Sequence, residues 1–552
     1  MRKGPAGSSS RIRRLPSSSF FNRRPRGNKN KLEGRSSSTD ETSSSAAVDE
    51  EKDQAILEKE TLSYRNLIVF TVTTILIWLS EPLLSLVDTT VVAMTASPRS
   101  AVLQIAALGP ATTLFDSAIY ITYFLAIATT NQVAPALAKK KWKELRTSTS
   151  HILGLSVVLG LMVSATILGG GHYMISKMVG ATTTPEIVPL ATTYAWIRSA
   201  VAPFCVVGFV AQSFCLACLD TKTPAVAVIV ASIVNVIGDL LLSPIWGIQG
   251  AAVATALATV ASCWILMKKV RSTTNEWKVF QDEEEEAQAE GVPDQDTKNS
   301  TLLVSESSEV SGNSTSEISS PLTFKEPQDS DDVPFLSLPN KKATLDLFKL
   351  AGPIFFIMLV KIACYSLFTI KATAFDLVSL ASHNIMMRVF FFYSCFGDSL
   401  GQAAQSFFPQ VSKESRRELL KRLTIICIWV GFWNSQCATL ILTRMGRFLT
   451  KDADIIRTVA SHTKFLSLSV LIHPFIALFE GVILARRDLA FLTGAYALNT
   501  AAHFMHMYSP LVSTFDAVWR ALVVYQGMRM VQLGTRIWQK ERRKPELVLE
   551  AS

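Results

Sequence analysis

Long runs of apolar residues, joined by short polar connections, fill the sequence from about residue 66 to residue 535. Each run can cross ~30 Å of hydrocarbon as a helix, which takes roughly 20 residues. Composition agrees with this reading. Of 552 residues 49% are apolar and 18% are charged, with a mean hydropathy of +0.29, which is too little charge to cover a soluble enzyme of that size. What charge there is concentrates before Glu60 and between Ser272 and Lys342. The chain therefore reads as an all-α polytopic membrane protein whose main surroundings are the lipid bilayer.

Twelve spans are expected, at roughly 66–95, 104–136, 150–178, 188–218, 223–244 and 250–270, then 347–374, 380–408, 423–443, 465–485, 489–509 and 513–535. Several exceed the minimum length, which implies tilt or extension beyond the bilayer. Five segments follow from this. Residues 1–60 form a Ser/Arg-rich tail, 61–271 an N-terminal lobe of six helices, 272–342 an acidic linker, 343–536 a second six-helix lobe and 537–552 a basic tail. The linker holds 16 Asp/Glu against 5 Lys/Arg and little that forms a core, so it reads as disordered. The first tail lacks the apolar stretch of a secretory signal. Its composition is shared by organelle transit peptides and by disordered basic tails, so the membrane is either an organelle envelope, plastid or other, or the plasma or vacuolar membrane.

The halves repeat. Leu-Ala-x-x-Asp closes both the fourth run, at Asp220, and the tenth, at Asp488. Ile105-Ala-Ala-Leu108 likewise corresponds to Leu380-Ala-Ser-His383. With six spans in each half, the two repeats run parallel, which places the termini and the linker on one side. That side collects Lys139-Lys-Lys141, Arg416, Arg417 and Arg542-Arg-Lys544 and is the inner face by the positive-inside rule, against which Arg444, Arg447 and Lys451 are the one exception. Repeats that meet at a central site are the architecture of secondary transporters. All eight cysteines fall inside apolar runs, and Cys215-Leu-Ala-Cys218 has no second pair to make a metal site.

Ionisable groups within membrane helices are costly, so each is a functional candidate. The first span holds Glu81-Pro82 and, seven residues after Glu81 on the same face, Asp88. Pro82 removes a backbone hydrogen bond and lets the helix bend. The fifth span holds Asn235 and Asp239 at i and i+4. Asp88 and Asp239 both lie ~8–12 Å from the outer ends of their spans. Two carboxylates and an amide at one depth can share a proton or hold Na⁺. The other reading of Asp239 is a helix-end cap or an outer vestibule residue. In the second half the position of Asp88 falls on Leu359, counting from Pro353. That half instead carries Lys361, His383, Asp398, Gln405 and Glu480. Lys361 can pair with Asp398 or Glu480, or these groups can select a substrate. His473, His503 and His506 read as satisfied interior histidines.

Pro82-Leu-Leu-Ser-Leu-Val-Asp-Thr89 followed by Ile105-Ala-Ala-Leu-Gly109 resembles the first two helices of the multidrug and toxic compound extrusion (MATE) family, in its DinF-like branch. Tyr194-Ala-Trp-Ile-Arg198, Gln212, Asp220, Asn235-x-x-x-Asp239, Gly247-Ile-Gln-Gly-Ala-Ala252, Gly397-Asp-Ser-Leu-Gly-Gln-Ala-Ala-Gln405 and His473-Pro474 through Glu480-Gly481 continue it. Ala126-Ile-Ala-Thr-Thr-Asn-Gln-Val-Ala134 is similar to the plant plastid members. The resemblance implies a V-shaped pair of lobes, alternating access, and export of small organic molecules in exchange for H⁺ or Na⁺. It further implies a cation site at Asp88, Asn235 and Asp239, and bending at Pro82. Tyr194, Gln212, Lys361, His383, Asp398, Gln405, Glu480 and Glu81 are candidates for substrate contact or gating. Glu81 beside the proline and the long acidic linker depart from the family pattern.

Other classes fit less well. A lipid or lipid-linked flippase with similar lobes is the alternative within transport. No GxxxxGK[ST] is present, so ATP is not expected as a partner. Neither HExxH nor a histidine followed five positions on by Asp appears, so a membrane-embedded enzyme is disfavoured and no metal or organic cofactor is expected. The net charge of +9 reflects basic loops rather than a nucleic-acid surface. A monomer is expected.

Overall fold

A computed structural model describes residues 62–542, apart from 96–97, 180–185, 291–333, 373 and 447–451. The first tail, the body of the linker and residues 543–552 fall outside the described residues, whereas residues 537–542, expected to begin the last tail, continue the final helix. Those described form fourteen α-helices. In the first half they are α1 (Tyr64–Thr95), α2 (Pro98–Thr122), α3 (Phe124–Ala138), α4 (Trp142–Val179), α5 (Ile187–Ala200), α6 (Ala202–Ala217), α7 (Lys222–Trp246) and α8 (Ile248–Glu290). The second half supplies α9 (Lys341–Ala372), α10 (Leu377–Phe407), α11 (Arg416–Arg444), α12 (Ala453–Ala485), α13 (Leu489–Met507) and α14 (Phe515–Arg542).

These helices cover the twelve expected spans, because two runs are each divided. The second run becomes α2 and α3, parted at Tyr123. The fourth becomes α5 and α6, bent by 50° at Val201 with Pro203 in the first turn of α6. Among the described residues eight spans are long and apolar enough to cross a bilayer, or nine if the bent pair counts as one. The rest, α10, α13 and α14, reach membrane length with more polar groups along them. The chain is an all-α, multi-pass membrane protein.

Composition misplaces the start of the linker. Residues 272–290 continue α8 beyond the apolar run. Trp277, 4% exposed, packs there among Trp142, Phe214 and Phe280. Arg146 holds the extension by donating to Gln281 at 3.0 Å. The far end of the linker is also bound: Ser150 Oγ donates to the Pro334 carbonyl at 2.5 Å and meets Ser337 Oγ at 2.8 Å.

The apolar interior divides into three clusters. One belongs to the first half alone, around Phe115, Ile167 and Ala251, and a second to the other half alone, around Phe368, Met386 and Trp519. The third joins the halves through Leu67, Phe70 and Phe214 on one side and Leu400, Phe407 and Ile483 on the other. All of these joining residues lie toward the helix ends next to the basic loops. There Phe70 meets Phe407 edge-on at 5.0 Å and Phe124 meets Phe355 at 5.3 Å. Gln402 Nε2 donates to Thr130 Oγ1 at 3.2 Å and Arg487 to the Asn131 carbonyl at 3.0 Å. The halves are thus sealed together at the inner end, and toward the outer end each has its own core.

Candidate functional site

The local design of the first half begins with α7 and α8. Gly247, at φ 57°, lets the chain reverse within one residue, and its amide caps α7 on the Ser243 carbonyl at 2.8 Å. Gly238 then allows α8 to approach closely, since a Cβ there would stand 2.7 Å from the Ala254 methyl. The approach brings Thr255 of α8 to Asn235 of α7. Asn235 Nδ2 donates to Thr255 Oγ1 at 3.2 Å, and the Thr255 hydroxyl has two acceptors, the Ala251 carbonyl of its own helix at 2.9 Å and Asp88 Oδ2 on α1 at 3.3 Å. Asp239 stands close enough to Asp88 for the two carboxyl groups to interact electrostatically.

Asp88 is 5% exposed, and Asn235 and Asp239 are fully buried. Asp88 Oδ1, Asn235 Oδ1, both Asp239 carboxyl oxygens and Ser243 Oγ have no hydrogen-bond partner among the described residues. Buried oxygens left this way cost free energy, and two carboxylates so close repel each other. A proton between them or a small cation among the oxygens removes both penalties. All the donors are oxygens, which suits a hard cation and no soft one. Among the described residues no group of three or more His, Cys, Asp or Glu forms a metal site. Thr255 is the member that sequence reasoning does not single out, because a threonine in a membrane helix carries no ionisable signal.

Beside this cage stands Tyr194 on α5, 2% exposed and within electrostatic reach of Asp88, Asp239, Asp116 and Arg198. Glu81 is exposed on α1, and α1 runs through Pro82 without interruption. Glu81 shares its surroundings with Asp116, and Tyr123 lies within electrostatic reach of both Glu81 and Asp398. The side chain of Asp398 is 50% exposed, and its nearest basic partner is His473 Nε2 at 4.0 Å. Tyr120, exposed on α2, lies within electrostatic reach of Lys361, Asp398 and Glu480, so groups of the two halves face one another here.

In the second half Glu480 gathers four helices. Its Oε1 accepts from Lys361 Nζ of α9 at 2.5 Å, and its Oε2 accepts from the Tyr496 hydroxyl of α13 at 2.5 Å and from Arg529 of α14 at 3.4 Å. Arg529, 3% exposed, also donates to Gln526 at 2.9 Å and lies 5.1 Å and 5.4 Å from the ring centres of Tyr496 and Tyr525. Of the two partners open to Lys361 by sequence, Glu480 is the one it pairs with. Two cations share one carboxylate here. Arg529 lies within an expected span and carries the same signal as Lys361.

The remaining candidates join neither cluster. His383 is buried near the outer end of α10, 3.3 Å from Thr369 Oγ1 and against the Trp519 ring. Gln405 is buried at the inner end of α10. Gln212 is half-buried on α6. Of the histidines expected to be satisfied in the interior, His473 and His503 are buried with Nδ1 and Nε2 respectively unpartnered among the described residues, as is His383 Nδ1, and His506 is half-buried.

Comparison with known proteins points one way. The MatE family model matches residues 73–241, a stretch that contains Asp88, Asn235 and Asp239. The chain is 29% identical over 439 residues to Protein DETOXIFICATION 47, chloroplastic, of Arabidopsis thaliana, covering 78% of this chain and 69% of that protein. It is 22% identical over 482 residues to Protein DETOXIFICATION 44, chloroplastic, of the same plant, covering 83% and 80%. In fold it is similar to an outward-facing multidrug resistance MATE transporter of the MOP superfamily, with a TM-score of 0.63 at 17% identity over 88% of this chain and 97% of that one. A MOP superfamily transporter from Pyrococcus furiosus, described as having a binding pocket of reverse polarity, gives a TM-score of 0.64 at 15% identity over 88% and 97%.

Proposed function

We propose that this chain, a MATE family transporter resembling the plastid members, exports small organic molecules in exchange for H⁺ or Na⁺ by alternating access. The observation that carries this reading is the buried cage of Asp88, Asn235, Asp239 and Thr255, with its unpartnered oxygens. Such a cage is stable when it holds a positive charge and unstable when empty. An ion that neutralises it therefore changes how α1, α7 and α8 pack, and an ion gradient can drive that change. The transporting unit is a single chain that draws on the gradient and not on ATP. The plastid names of the relatives support a place in an organelle envelope.

The space between the halves is where the cargo binds. Glu81, Asp116 and Asp398 gather there with Tyr120 and Tyr123, a set that favours an aromatic or amphipathic organic cation. Lys361, 24% exposed, stands at its edge. In this shape the space is closed at the inner end by the shared apolar cluster, which supports an outward-open state of the cycle.

The test uses purified protein in liposomes under an imposed pH or Na⁺ gradient, with efflux of a cationic dye and of an aromatic carboxylate followed in parallel. Gradient-dependent flux that disappears in both Asp88→Asn and Asp239→Asn is expected. Flux unchanged by both substitutions removes the cage from the mechanism. Movement of a labelled lipid without flux of either cargo would replace this reading with a flippase.

A further inference from the structure

A groove of about 370 Å³ opens between α13 and α14, away from the cleft and from both charged clusters. Its α13 wall is Phe491, Gly494, Ala495 and Leu498, one face of that helix, and its α14 wall includes Gln532 and Arg536. Gly494 and Ala495 are too small to fill the gap between the helices. A Cβ on Gly494 would meet nothing within 4 Å.

The two ends of the groove differ in chemistry. α13 begins and α14 ends at the inner face, so Arg536 and Gln539 mark the inner mouth while Leu498 lies deeper. At the mouth Arg536 Nε donates to Asp488 Oδ2 at 2.9 Å, and Lys540 Nζ reaches the same oxygen at 3.8 Å. One carboxylate serves two cations, one of which is left without a counter-charge. The indole of Trp538, 55% exposed, sits on the same turn of helix, where aromatic residues anchor at the membrane–water boundary. Deeper in, Gln532 is half-buried, and its Oε1 has no partner among the described residues. An apolar slot under a basic mouth at the inner boundary fits an amphiphile with an acidic head.

We propose that this groove is a binding site for an anionic glycerolipid of the inner leaflet. Its acidic headgroup sits on Arg536 and Lys540, and one acyl chain lies along Phe491, Gly494 and Leu498. The site lies on the outer surface of the second half, so a lipid there bears on how that half stands in the membrane without entering the transport path.

The full-length protein, released from detergent in the presence of equal amounts of phosphatidylglycerol and phosphatidylcholine, is examined by native mass spectrometry. Phosphatidylglycerol is expected to be retained over phosphatidylcholine by about fivefold, the preference that one lost basic contact at a charged surface removes. Arg536→Gln should bring the preference close to one. Gly494→Leu fills the slot from a position with free space around it, so it should abolish retention while the melting temperature in lipid-free detergent stays unchanged. Equal retention of the two lipids by the unaltered protein overturns the proposal. So does an undiminished preference in Gly494→Leu. Displacement of phosphatidylglycerol by an equal concentration of glycerol 3-phosphate also overturns it, because the headgroup alone would then suffice.

Discussion

Leu219 and Arg487 occupy the same left-handed backbone conformation, φ 58° and φ 55°, at equivalent ends of the two halves. Each follows a helix whose last turn closes identically. Asp220 N donates to the Cys215 carbonyl and Asp488 N to the Ile483 carbonyl, with Leu219 N and Arg487 N donating to the carbonyls of Leu216 and Leu484. The repeated Leu-Ala-x-x-Asp therefore encodes one chain reversal used twice. The halves differ in what the reversal carries, since Arg487 alone reaches across to the Asn131 carbonyl.

Leu219→Gly relieves about 1 kcal/mol of left-handed backbone strain but removes a side chain packed against the cluster that joins the halves, so a net loss of about 1 kcal/mol is expected in the detergent-purified protein. Arg487→Gly gains the same relief and loses its hydrogen bonds to the other half, so no net gain is expected. Thermal melts of the two variants side by side decide this. Stabilisation of Arg487→Gly by the full backbone relief would show that the Arg487 contact contributes nothing.

Thr255→Val keeps the shape of the side chain and removes the hydroxyl between Asn235 and Asp88. Hydrogen bonds to charged groups contribute about 1.5–3 kcal/mol, so gradient-driven flux should fall about ten- to hundredfold. Thr255→Ser should retain most of it. Equal flux in the valine and serine variants would take Thr255 out of the cage.

Glu480→Gln leaves Lys361 and Arg529 without their shared carboxylate inside the bilayer. A loss of about 3–5 kcal/mol is expected, as for other buried ion pairs broken from one side. Lys361→Met should cost less, since Glu480 keeps Arg529 and the Tyr496 hydroxyl. Chemical denaturation of both variants gives the order. A larger loss in Lys361→Met would mean that Lys361 and not Glu480 holds the four helices together.

Gly481→Ala would place a methyl 2.3 Å from the Gly401 carbonyl oxygen, where α10 crosses α12. Forcing the helices apart should cost about 1–3 kcal/mol. Gly527→Ala serves as the control, because its added carbon meets nothing within 4 Å. A melting temperature unchanged in both would show that α10 and α12 leave room for a methyl group between Gly481 and Gly401.

Membrane helices and the two carboxylates are legible in the sequence for the same reason. In hydrocarbon, apolar length and buried charge are each so constrained that composition alone reveals them. The bend at Val201 and the division at Tyr123 are less legible, since a broken span keeps the same apolar run. The extension of α8 is not legible at all. Its residues are polar, and only the packing of Trp277 against Trp142 and Phe214, distant in sequence, shows why it is ordered. Thr255 and Tyr496 belong to a further class. Their roles come from hydrogen bonds to charged neighbours on other helices, which spacing within one helix cannot express.

The seal at the inner end is made mostly of apolar surface, with Phe70 on Phe407 and Phe124 on Phe355. Apolar burial weakens on cooling, whereas the buried charges of the cage and of Glu480 follow a different temperature law. Opening the inner end should therefore become easier in the cold, although every chemical step slows. The transport rate plotted against reciprocal temperature is expected to curve rather than fall on a straight line. A membrane that lives through warm days and cold nights would then carry a transporter whose resting posture drifts with the weather.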